Sequence, residues 1–138
     1  MNYKRIYKLP SFPEHVGPTF RRLAVREDPS HIPEVLALIN DYVARIEKIA
    51  EKRPHISVDL AKQIADRCKF LLSLYSSLDE SQQDDVMGAI RYFLHHEDAL
   101  ADISFGTGFD DDVAVTNYVL AQLEIDDKFI DPKASDFV

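Results

Sequence analysis

From Ile32 onward apolar residues return at every third or fourth position, at Val35, Leu36, Ile39, Tyr42, Val43, Ile46 and Ile49. Glu34, Asp41, Arg45, Glu47 and Lys48 take the other face. That period predicts an amphipathic helix, with Ser30 as its N-cap, Pro33 in its first turn and Arg53-Pro54 stopping it near Lys52. A second helix opens on Ser57 as cap and carries Leu60, Ile64, Cys68, Leu71, Leu72 and Tyr75 to about Ser77. The third begins at Asp79-Glu80-Ser81-Gln82, which has capping-box spacing, and buries Val86, Ile90, Phe93 and Leu94. The fourth starts near Asp110 and places Val113, Ala114, Asn117, Leu120, Ala121 and Leu123 at helical spacing. Alternating runs are short, so no strand competes.

The predicted fold is therefore all-α, a small bundle of four main helices with a proline-containing N-terminal arm. Pro10, Pro13, Pro18 and Pro29 divide residues 1–30 so that only a helical turn or two fits between them. The arm's Ile6, Tyr7, Leu9, Phe12, Val16, Phe20 and Leu23 are too apolar for a solvated linker, so it is expected to lie on the body. The expected division is an arm over 1–30, a helical domain over 31–127 and a tail over 128–138. A chain of 138 residues forms a core without staples.

Charge changes the picture of partners. The net charge is −8, yet Lys4, Arg5, Lys8, Arg21, Arg22 and Arg26 face only Glu14 in the first 26 residues. Between Asp79 and Asp127 the only Lys or Arg is Arg91, set among aspartates and glutamates. Such a field repels nucleic acid and anionic lipid and attracts cations or basic protein surfaces. The expected partner is protein, with a homodimer as one form, and neither nucleic acid nor peripheral membrane contact is favoured. Tyr3, Lys4, Arg5, Tyr7 and Lys8 mix aromatic and basic character, and their target is read as the acidic half of this chain or of a second copy. The N-terminus lacks the apolar stretch of a signal peptide, no stretch approaches a membrane span, and Cys68 is alone. A reducing, cytoplasmic setting is expected.

Tyr92-Phe93-Leu94, followed by Asp98, Asp102, Gly108 and Asp111-Asp112, resembles the signature of YkvA-like domains, a family of unknown function. The spacing fits without a gap, and the likeness covers about residues 86–124. His96, Ala101 and Phe105 stand where the family has prolines, as in a divergent member. The resemblance implies a small helical domain, sometimes near membranes or attached to other modules, with no established catalysis.

The same aspartates are the candidate chemistry. Carboxylates are hard oxygen ligands for magnesium, calcium or manganese, and a helical 95–102 puts His95, Asp98 and Asp102 on one face. With Asp111 and Asp112 they form a candidate metal set, with no other cofactor expected. The competing reading is structural: Asp110, Asp111 and Asp112 cap the fourth helix and favour its dipole. Cys68, on an apolar stripe, is read as a buried small hydrophobe. Gly106-Thr107-Gly108 lacks the third glycine and the strand of a phosphate loop. No catalytic residue is assigned. The expected function is a noncatalytic protein-interaction module; the alternative is a divalent-metal-binding protein or metal-dependent hydrolase centred on the aspartates.

Overall fold

The computed structural model describes residues 16–53, 57–95, 109–125 and 128–130, and of Val16, Gly17, His95, Asp110 and Asp111 the backbone alone. Among these the chain is all-α: α1 (Val16–Leu23), α2 (Ile32–Ala50), α3 (Val58–Leu74), α4 (Glu80–His95) and α5 (Asp110–Gln122), with 3-10 turns at Pro29–His31 and Tyr75–Ser77. None of these helices is long and apolar enough to cross a membrane. The four main helices appear where the periodicity puts them, and α1 is the short helical piece that the prolines leave room for. Pro18 sits in its first turn, where a missing N–H removes no helical bond.

Capping chemistry explains three of the starts and corrects two expectations. Ser57 accepts from the Leu60 amide at 3.2 Å. At α4 the capping box is reciprocal: Asp79 Oδ1 accepts from the Gln82 amide at 2.8 Å, and Gln82 Oε1 accepts from the Asp79 amide at 3.0 Å. Ser30, however, does not cap α2. It lies inside the 3-10 turn, whose cap is Asp28, accepting from the Ser30 amide at 2.9 Å, and His31 holds the α2 cap position without a side-chain bond. Nor is an aspartate the cap of α5, because Phe109 occupies that position and the three aspartates form the first turn. There they still favour the helix dipole.

Ile39, Tyr42 and Ile46 of α2 share one buried cluster with Ile64, Cys68 and Leu71 of α3, Val86, Ile90 and Phe93 of α4, and Val115, Val119 and Leu120 of α5. Val43 is only half-buried at the rim. On α5 the apolar stripe is wider than the sequence predicts. Asp112, Val113, Val115, Thr116, Val119, Leu120 and Ala121 are all buried, whereas Ala114, Asn117 and Leu123 are half-buried. A helix buried on most sides belongs inside a bundle, and α5 packs on both α3 and α4. Its end is a Schellman turn: the Glu124 amide bonds Ala121 O at 3.0 Å and the Ile125 amide bonds Leu120 O at 2.8 Å. Glu124 takes φ 59°, the left-handed conformation that costs a side-chain-bearing residue about 1–2 kcal/mol. Just beyond, Asn117 pairs with both backbone groups of Ile130, at 2.9 and 2.8 Å, and Ile130 itself is buried.

The described part of the arm lies on the body. Phe20 is buried and α1 packs along α4, where Gly88 allows the close approach. A Cβ at Gly88 would stand 2.7 Å from Phe20 Cε1, 2.9 Å from Ala24 Cβ and 3.0 Å from Ala24 Cα. The phenyl ring can yield, but the Ala24 backbone cannot without moving the connector. Gly88→Ala is therefore expected to lose stability: overpacking costs about 1–3 kcal/mol, against roughly 1 kcal/mol gained in helix propensity. Urea unfolding with a midpoint at or above the parent's would show that the contact is slack.

Candidate functional site

The residues proposed from sequence as metal ligands do not form a described site. Asp98 and Asp102 lie outside the described residues, and the side chains of His95 and Asp111 are not described. Asp112 is placed, and it is a core residue, 1% exposed in the first turn of α5. Its charge reaches Cys68 on α3. Burial first, and then the Asp112 carboxylate, push that thiol far above the ordinary thiol range. Cys68 is thus the buried small residue that the α3 stripe predicts. Among the described residues, no group of three or more His, Cys, Asp or Glu side chains could hold a metal.

The structure instead gathers charge around the α1–α2 connector, residues 24–28. Arg91, projecting from α4, donates through Nη1 to Leu23 O at 3.0 Å and to Val25 O, and through Nη2 to the Glu27 carboxylate. The other oxygen of Glu27 meets His31 Nδ1 at 2.6 Å. On the inner side the buried Tyr75 hydroxyl donates to Glu27 O at 2.5 Å and accepts from the Glu27 amide at 2.7 Å. One residue earlier, the Arg26 amide donates to Asp84 Oδ1 at 2.7 Å. The Arg26 guanidinium spans Asp84 and Glu80 at 3.4 and 3.7 Å. A stretch with no secondary structure of its own is therefore fastened by side chains of α4 and by Tyr75, in the 3-10 turn that follows α3.

Electrostatics follow from these contacts. The His31 hydrogen bond, with the Arg91 charge behind it, holds the Glu27 carboxyl below its ordinary value in spite of some desolvation. Reciprocally, the Glu27 hydrogen bond raises the His31 imidazole, and the charges of Glu27, Glu34 and Asp28 add to it. Asp85, half-buried next to Asp84 and Asp79, is shifted up, first by desolvation and then by those neighbours.

Beside this knot, between α2 and α4, lies a half-open pocket of about 180 Å³. Val35, Leu38, Met87, Ile90 and Leu94 form its apolar surface, and Glu27, His31, Glu34 and Arg91 its polar edge. Leu38 is 53% exposed, one of two large apolar side chains, with Val25, so open to solvent among the described residues. The volume is below the roughly 300–1,000 Å³ of ordinary small-molecule pockets and suits one or two apolar side chains. A shallower groove of about 390 Å³ runs between α2 and α3, but Glu47 and Lys62 across it are joined at 2.9 Å.

Sequence reasoning did not find this site. Its one visible signal was Arg91, a lone base in an acidic half, whose targets are backbone carbonyls more than 60 positions away. Scanned against protein-family models, curated proteins and solved structures, the chain gives no match.

Proposed function

We propose that the chain is a noncatalytic helical module that binds a protein segment in the α2–α4 groove, taking an apolar side chain flanked by basic residues. The observation that carries this reading is the exposure of Leu38 at the lip of a pocket whose floor is apolar and whose size fits a side chain. Charge selects the partner. The net charge is −8, Glu34 adds an exposed carboxylate at the lip, and Arg91 is already committed to Glu27 and to the connector carbonyls. A basic amphipathic segment is complementary to such a surface, and an acidic one is repelled. The YkvA-like likeness, carried by Tyr92-Phe93-Leu94 and the aspartates that follow, is compatible with this reading and adds no chemistry to it.

The test uses a synthetic amphipathic peptide of leucine and lysine, titrated into labelled protein by NMR. Shifts should concentrate on Val35, Leu38, Met87, Ile90 and Leu94. Leu38→Gln, which removes the apolar contact without adding charge, should weaken binding by about 10- to 100-fold, the worth of roughly 1.5–3 kcal/mol for one buried leucine, while leaving the fold intact. An unchanged affinity in Leu38→Gln, or shifts confined to other faces, would remove the groove from the function.

A further inference from the structure

We propose that Glu27, His31 and Arg91 form a proton-sensitive latch that fastens the α1–α2 connector to α4, tightening when His31 is protonated. The geometry is a relay through one carboxylate. Glu27 gives one oxygen to Arg91 and the other to His31, so the connector is gripped from α4 and from the start of α2 at once. The connector has no regular structure, and its position depends on these bonds together with those of Tyr75 and Asp84. His31 is the member that can change. It is solvent-accessible, with 48% of its side chain exposed, and its ordinary titration range lies in the neutral region. Glu27 and Asp28 face it from the connector, Glu34 from α2 and Arg91 from α4 across the pocket. Three acids against one base favour the imidazolium.

The direction of the pH effect follows from both partners. The His31 imidazole is raised above its ordinary 6.5, so its contribution is complete below pH 6.5 and is lost as pH rises through the raised value. The Glu27 carboxyl is lowered below its ordinary 4.5, so its contribution is complete above pH 4.5 and is lost only in more acidic solution. The latch is tight between these limits and loosens on the alkaline side. Neutral His31 can still donate from Nδ1, but without the charge that strengthens the bond. The Arg91 bonds to Leu23 O and Val25 O do not pass through His31, which confines the change to a loosening of the connector rather than its release.

The latch does not require an occupied groove, and its readouts are separate from peptide binding. In the full chain, the His31 ring protons are followed by NMR from pH 4 to 9, and again in Glu27→Gln. The expected midpoint lies above 6.5 in the parent and drops toward or below 6.5 in the variant. A drop of one pH unit corresponds to a tenfold loss of coupling. The second readout is hydrogen exchange at the Arg26 and Glu27 amides, corrected for intrinsic rates. Protection should fall several-fold between pH 6 and pH 8.5 in the parent and stay low at both in His31→Gln. A His31 midpoint at or below 6.5 in the parent, or connector protection that ignores both pH and the His31 substitution, would overturn the latch.

Discussion

Replacing Phe93 with alanine is expected to lower stability by about 3–5 kcal/mol, the usual cost of removing a fully buried phenyl ring. Phe93 has 0% exposure, and its ring joins three helices. It stands edge-on to Tyr42 of α2, with centroids 4.9 Å apart and an interplanar angle of 81°. From its own position on α4 it also reaches Phe109, at the cap of α5, with centroids 6.4 Å apart. The edge-to-face pair adds about 0.5–1.5 kcal/mol beyond the area buried, and the smaller residue leaves a cavity that packed helices close only in part. Natural domains hold only about 5–15 kcal/mol, so this one substitution removes a large share. Thermal unfolding should fall by about 10–20 °C in a domain of this size. Phe93→Leu, which keeps most of the volume, should lose far less. A drop of less than about 3 °C for the alanine variant would mean that the three helices close over the gap and that Phe93 is not their common anchor.

The helices were legible because the signals that build them are local. Periodic apolar positions, Ser57 as cap and the Asp79/Gln82 box act within one or two turns, and each appears in the structure with the partner that its spacing implies. The failures come from competition between neighbouring solutions. Ser30 and Asp28 both suit a helix start, and the chain uses Asp28 for a 3-10 turn that leaves His31 at the α2 cap and frees its ring for Glu27. On α5, Val115 and Val119 fall off the stripe through Val113, Asn117 and Leu120, and they are buried because the helix packs on both α3 and α4. The connector knot was invisible for a different reason. Arg91 and Tyr75 are recognised by carbonyls and an amide distant in sequence, and backbone groups carry no residue type that a sequence could announce. Gly88 belongs to the same class. Nothing in its own helix needs a glycine; the need comes from Phe20 and Ala24 on another segment.

The lone thiol offers the most sensitive report on this packing. Native Cys68 is expected to react with a disulfide reagent at least about 10³-fold more slowly than in the denatured chain. Only the thiolate attacks, and at this position burial and then the Asp112 carboxylate push the thiol so far up that almost none is ionised near neutrality. With 0% exposure the sulfur is also out of reach of the reagent. Reaction must then pass through an opened chain, where the thiol returns to its ordinary value near 9.0. At a stability of about 5 kcal/mol the opened fraction is roughly 10⁻⁴, and it sets the rate when closing outruns labelling. Two consequences can be measured together. The rate should rise about tenfold per pH unit up to roughly pH 8, following the thiolate of the opened chain. In Phe93→Ala it should rise by about 10²–10³·⁵-fold, because each 1.4 kcal/mol lost multiplies the opened population tenfold. Rapid labelling of the parent, close to the denatured rate, would place Cys68 outside the core. A slow rate unmoved by Phe93→Ala would mean that the sulfur is reached through a local opening near α3 rather than through the shared core.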